Sequence, residues 1–247
     1  MDSKQIVSYI KHAFGITYTP QGLVHLLHRI GFVYKKSKHV PGKADPQKQK
    51  DFLEETYWKT KKKMGENDRL YFADATHPLH NSMPSYGWIP KGKVSEVPSN
   101  TGRKRLNING AIDIADLDFQ YRTEETVNAD SMIDLFRQME QNNPDAQHIY
   151  VIMDNARYNR AKKLKEYMAS SKIEPIYLPP YSPNLNLIER LWRFVYKKIQ
   201  YNRYYETFDA FKKACCDLLN GVKDFEQELR SLLTEKFQIL GENISPP

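Results

Sequence analysis

The spacing of apolar and polar residues changes rhythm partway along the 247-residue chain. Up to residue 64 apolar positions recur every three or four places, as on a helix with one buried stripe. "SKQIVSYIKHAFG" closes on Gly15. In "TPQGLVHLLHRIG", Thr19 stands as N-cap, Pro20 as first helical residue and Gly31 as stop, so 1–33 is predicted to be helix, short turn, helix. Leu23, Leu26, Leu27 and Ile30 make the apolar stripe of the second helix, while Gln21, His25, His28 and Arg29 project elsewhere. "VPGKADPQKQ" (40–49) reads as a Pro/Gly-punctuated linker, and "PQKQKDFLEETYWKTKKKM" as the helix that follows it.

From residue 68 strands enter. "RLYFADAT" (69–76), "RLNINGAIDI" (105–114) and "DFQYRTEE" (118–125) predict three strands, the last two joined by a turn near Ala115 and Asp116. A helix over 129–141 leads to "HIYVIMDNA" (148–156), whose near-continuous apolar run suits a central strand covered on both faces. Helix 161–171, strand 173–179 and helix 185–200 complete a β-β-β-α-β-α-β-α series, and 206–236 adds two amphipathic helices. Three strands in a meander followed by αβ units imply an α/β fold, a mixed sheet flanked by helices.

Composition narrows the function. An apolar fraction of 40% is enough for a full core. No apolar run approaches the roughly 18 to 20 residues needed to cross a bilayer, and the N-terminus lacks a signal-peptide core, so a cytoplasmic location without membrane partners is expected. Cys215 and Cys216 are neighbours in a helical pattern and read as reduced packing residues. The net charge of +7 is gathered into clusters at 34–39, 59–63, 91–93, 103–105, 159–165 and 196–203. Clusters spread so widely suit an extended polyanion, because Lys and Arg gain by releasing counterions from phosphates. A helix-turn-helix with basic residues beyond it fits the same partner.

Three acids interrupt apolar surroundings. Asp74 ends "YFAD", Asp154 ends "YVIMD", and Glu189 lies between Ile188 and Leu191 in "NLIERLW". Taken singly, each Asp suits a turn cap, and Glu189 suits an i,i+4 pair with Arg193 worth about 0.3 to 0.5 kcal/mol. The inferred fold brings all three towards one sheet edge, where α/β folds place ligands. Three carboxylates at close quarters repel unless protonated or neutralised. Oxygen ligands without Cys or paired His select Mg²⁺ or Mn²⁺, and a pair of such ions serves phosphodiester chemistry.

"FADATHPLHNSMPSYGWIPKG", "YVIMDNARYNRAKKLKEY" and "LPPYSPNLNLIERLWRFVYK" resemble the three catalytic blocks of the mariner superfamily of DDE transposases, in its bacterial insertion-sequence branch. The 34 residues between Asp154 and Glu189 match one spacing of that superfamily, and the likeness runs from about residue 16 to 205. The resemblance implies a ribonuclease H-like domain over 68–205, a helix-turn-helix segment over 1–39 (the second of two in the family), a linker and connecting helix over 40–67, and C-terminal helices over 206–247. It implies a metal-dependent endonuclease and strand transferase in which Asp74 bridges two Mg²⁺ or Mn²⁺ ions, Asp154 holds one and Glu189 the other. Asn155 would support the metal site; Tyr181, Ser182 and Asn186 would shape the loop before Glu189. The implied partners are double-stranded DNA, as terminal inverted repeats and target, and a second copy of the chain, in the bacterial cytoplasm at the nucleoid.

The chain departs from the family pattern at Ala75 (usually Glu), Asn159 (often His) and Leu187 (often Pro), and family members usually carry another helix-turn-helix before the region that begins here. A truncated copy, or one product of a two-frame element, is therefore also expected, with a catalytically weak DNA-binding remnant as the alternative function. A ribonuclease H-type nuclease acting on RNA·DNA hybrids is disfavoured by the helix-turn-helix and by the long 77–103 insertion.

On this reading His25, His28 and Arg29 face base edges, while Lys35, Lys36, Lys91, Lys93, Arg103, Lys104 and Arg105 meet the DNA backbone. Neutralising Lys35 and Lys36 should weaken binding to every duplex alike and flatten the salt dependence by roughly 0.9 for each phosphate left without its lysine, whereas Arg29→Ala should cost terminal-repeat DNA about 1 to 3 kcal/mol more than scrambled DNA. Anisotropy over a salt series separates the two. Equal losses on both duplexes for Arg29→Ala would show that this helix does not read sequence.

Overall fold

The structure is a computed structural model that describes residues 2–35, 40–100 and 103–242. It divides into two units, Met1–His39 and Val40–Pro247. In the first, helix α1 (Ser3–Phe14) begins with a capping box in which the Asp2 carboxylate accepts from Gln5 N and the Gln5 side chain accepts from Asp2 N; it ends on Gly15 at φ 69°. Helix α2 (Pro20–Arg29) starts at Thr19, whose hydroxyl accepts from Gly22 N at 3.0 Å. Leu23 of the predicted stripe is buried. Ile30 is exposed, because the helix stops at Arg29 and Ile30 turns out of its stripe.

The second unit opens with α3 (Pro46–Asp51), a π-helical turn (Phe52–Tyr57) and α4 (Trp58–Lys63). The sequence predicts an ordinary helix here. The wider i to i+5 turn instead brings Phe52 and Tyr57, five residues apart, into the core together.

Strands β1 (Arg69–Thr76), β2 (Asn107–Asp113), β3 (Asp118–Glu124), β4 (Ile149–Met153) and β5 (Ile173–Tyr177) form one sheet in the order β3-β2-β1-β4-β5. The β3-β2-β1 pairs are antiparallel and the β1-β4-β5 pairs parallel. Side chains alternate between faces. Leu70 and Phe72 of β1, Ile108 and Ile112 of β2, and Tyr150 and Ile152 of β4 pack on one face, where α7 (Ile188–Ile199), α8 (Phe208–Asn220) and α9 (Glu226–Leu232) lie. Tyr71, Ala73, Ala111, Val151 and Met153 pack on the other, against α5 (Ala129–Asn142) and α6 (Lys162–Met168). Asp74 and Asp154 follow Phe72 and Ile152 by two places, so parity sends both towards the α7 face.

Cys215 and Cys216 of α8 are free thiols, the first buried. Among the described residues no helix is long and apolar enough to cross a membrane.

Gly110 of β2 pairs with Asp74, and it is the one sheet position where a side chain has no room. A Cβ there would meet Trp192 Cη2 at 2.8 Å and Phe119 Cε2 at 3.1 Å. Gly110→Ala should therefore lower the unfolding free energy by about 1 to 3 kcal/mol in urea denaturation. Unchanged stability would mean that Trp192 moves aside freely.

Candidate active site

Asp74, Asp154 and Glu189 line one cleft of about 470 Å³, together with Asn155, Leu178, Tyr181, Ser182 and Asn186. Each arrives on a different element. Asp74 lies within β1, two residues before its end rather than at it. Asp154 stands one residue past β4, which is shorter than the predicted strand. Glu189 is the second residue of α7.

Local hydrogen bonds orient these groups. Asp154 Oδ1 accepts from Ala156 N at 3.0 Å and from Asn159 Nδ2 at 2.9 Å; Oδ2 accepts none among the described residues. Asn155 Nδ2 donates to Leu178 O at 2.5 Å, which fastens the end of β4 to the chain leaving β5. Asn186, buried, donates from Nδ2 to Ala73 O at 3.0 Å and so holds the loop before α7 against β1 beside Asp74. Its Oδ1 has no partner among the described residues. Ser182 is buried, with Oγ donating to Pro180 O at 3.3 Å. Tyr181 holds a left-handed backbone at φ 58°, uncommon outside glycine, which turns the chain sharply at the cleft wall. Arg193 does not make the i,i+4 ion pair that would explain Glu189 taken singly: its Nε donates to Glu189 O at 3.4 Å, which leaves the acid free to face the cleft.

The electrostatics reflect crowding. Desolvation, then the Glu189 charge, then that of Asp154 push Asp74 up to about 7, against the Ala75 N–H and the Trp192 indole. Burial also raises Glu189, with Arg193 opposing and Asp154 adding to it. The donor set is wholly hard oxygen, which suits Mg²⁺ or Mn²⁺. Among the described residues no three His, Cys, Asp or Glu side chains are gathered tightly enough to hold one ion between them.

The other predicted residues are not among those that line this cleft. His25, His28, Arg29 and Lys35 are exposed in the first unit, and Lys36 lies outside the described residues. Lys91 and Lys93 are exposed on a turn closed by Lys93 N donating to Pro90 O at 3.0 Å. Arg103, Lys104 and Arg105 are exposed ahead of β2. In sequence Asn159 stands out only as a departure from the family pattern and Trp192 only as one of the apolar residues of its helix; the structure puts the first on Asp154 and the second on Gly110, opposite Asp74. A donor five residues beyond Asp154 was visible in "DNARYN", but only a 3-10 turn over Arg157–Arg160 brings it back.

Residues 69–212 match the family described as DDE superfamily endonuclease, and residues 2–56 the one described as winged helix-turn helix. The uncharacterized protein y4pE/y4sA of Sinorhizobium fredii (strain NBRC 101917 / NGR234) is 31% identical over 88 residues, 36% of this chain and 63% of that relative, so under two thirds of its length is spanned. The Mos1 transposase paired-end complex with left transposon end is similar in fold, with a TM-score of 0.65 at 16% identity over 96% of this chain and 76% of that one. The mariner Mos1 paired-end complex with Mg gives 0.66 at 16% identity over 94% and 72%. The catalytic domain of Mos1 mariner transposase gives 0.52 at 14% identity over 82% and 100%. The second unit accordingly has a ribonuclease H-like fold, a five-stranded mixed sheet flanked by helices.

Asp74 supplies a pH test. The unfolded carboxyl loses its proton near 3.8 and the folded one near 7, so its stabilising contribution is full below about pH 4 and is lost as pH rises through about 7. In chelator, Asp74→Asn and the parent chain should unfold alike near pH 4, and the variant should be more stable by on the order of 2 to 4 kcal/mol near pH 8. Thermal or urea unfolding across this range measures it. A pH-independent difference would show that Asp74 titrates as an ordinary acid.

Proposed function

The chain belongs to the DDE superfamily endonucleases, and from this we propose that it is a transposase, a homodimer that cuts transposon ends and joins the freed 3′ hydroxyl to target DNA. The observation that carries the proposal is one cleft holding Asp74, Asp154 and Glu189 with Asp74 strained towards protonation. Such a site gains by taking up cations. The Mos1 structures similar to it are complexes with a transposon end and with Mg.

Asp74, Asp154 and Glu189 would hold the Mg²⁺ or Mn²⁺ that this hard-oxygen donor set suits. When bound, the ions would activate the attacking oxygen and stabilise the leaving one. The chain's own residues prepare the place. Asn159 and the Ala156 N–H fix one oxygen of Asp154 and leave the other to the cleft. Asn186 sets the loop that delivers Glu189 against the strand that delivers Asp74. Lys91, Lys93, Arg103, Lys104 and Arg105 would hold the DNA backbone, as would Lys35 and Lys36 beyond α2, whose His25, His28 and Arg29 would address the terminal repeat. Such a protein would work at the nucleoid of a bacterial cell.

The test is strand cleavage of a duplex carrying the element's terminal inverted repeats, in Mn²⁺. Asp154→Asn should abolish cleavage and leave DNA binding unchanged or slightly tighter, since it removes a ligand but also a repulsion towards phosphate. Equal loss of cleavage and binding would assign Asp154 to the fold instead.

A further inference from the structure

Arg157 and Arg160 begin and end a 3-10 turn, where residues three apart stand on one face. Both are exposed, and neither pairs with a carboxylate among the described residues, whereas Lys162 and Lys163 just beyond pair with Glu166 and Asp130.

Arg160 is nevertheless held in place. Its guanidinium carbon lies 3.6 Å from the centroid of the Tyr177 ring, and its Nη2 donates to Asn155 Oδ1. Both supports are themselves fixed: Tyr177 Oη donates to Asn159 O at 2.9 Å, and Asn155, which lines the cleft, is tied to Leu178 O. Immobilising an arginine costs rotamer entropy, and here that cost is met without a carboxylate partner. Asp154 makes no ion pair with the guanidinium; its Oδ1 accepts from Ala156 N and Asn159 Nδ2. Donors of the planar fork remain free, in the geometry that suits two oxygens of a phosphodiester. The cleft also needs such a group, since three carboxylates repel the strand that must reach them.

We propose that Arg160 is a phosphate-binding subsite at the rim of the cleft, gripping the backbone of the DNA strand on which Asp74, Asp154 and Glu189 act. Arg157 adds positive charge beside it. The proposal rests on the reading of the cleft as a DNA-cutting site and states how the strand is held there.

Anisotropy of a labelled duplex in EDTA, over a potassium chloride series with the full chain, tests it. Arg160→Gln should lose several-fold in affinity on any sequence, and its plot of log K against log salt should flatten by about 0.9, the share of a single phosphate. Arg160→Lys, which keeps the charge without the stacked fork, should keep the parent slope. A parent-like slope and affinity for Arg160→Gln would overturn the proposal. So would equal losses in the Gln and Lys variants, because Arg160 would then only pin Asn155 and Tyr177. If Arg160→Gln melts early, the slope of the Lys variant decides between the two. Binding in chelator requires no cleavage, so a failure of the catalytic reading would appear in the Mn²⁺ assay and not here.

Discussion

The geometry of the cleft depends on the indole of Trp192 lying across Gly110. The ring fills the space that a side chain on β2 would occupy and meets Phe119 edge-on at 5.8 Å between centroids. Gly110 is the partner of Asp74, and Trp192 is one turn along α7 from Glu189. One packing contact thus sets the distance between the strand paired with Asp74 and the helix that brings Glu189. A large, buried aromatic is suited to this, since its rigid face allows one depth of approach. Its Nε1–H has no hydrogen-bond partner among the described residues, and its dipole favours ionised Asp74.

A raised pKa alone does not single out this cleft. Asp113, on the same sheet, is also pushed up, to about 6, and mainly by burial. Its oxygens, however, are occupied: Ala115 N donates at 2.9 Å and Leu70 N at 3.5 Å, so the acid closes the turn between β2 and β3. Asp74 receives the Ala75 N–H but faces two further carboxylates. Backbone donors satisfy Asp113 within the fold. Asp74 is left with a repulsion that the fold does not cancel, and the difference lies in the company each acid keeps rather than in its depth.

Much of this was legible in the sequence. The strand starts follow the apolar runs closely, and the alternation in "LYFAD" and "YVIMD" is enough to place Asp74 and Asp154 on one face. Capping at Thr19 and the stop at Gly15 follow from single residues. What stayed hidden depends on contacts between distant segments. Nothing local shows that Arg193 would turn to the Glu189 carbonyl, that a π turn would bury Phe52 with Tyr57, or that Arg160 would find Tyr177, seventeen residues on. Asn159 shows the limit most clearly: compared with a family pattern it looks like a loss, and in three dimensions its amide donates to Asp154.

The loop before α7 carries the same point to segments remote in sequence. Asn184 Nδ2 donates to Gln49 Oε1 at 2.8 Å and to Gln238 O at 2.7 Å, while fully buried Gln49 also donates to Leu240 O at 3.1 Å. One residue past Glu189, Arg190 donates to the carbonyls of Leu232, Thr234 and Lys236. The connecting helix from one end of the unit and the tail from the other therefore meet at the loop that delivers the third acid. Buried amides and a half-buried guanidinium are costly to leave unpaired, so this arrangement holds only when both segments are docked. Two acids come with the sheet itself. The third is placed by what closes around the sheet afterwards, which makes α3 and the residues after α9 part of the cleft although neither lines it.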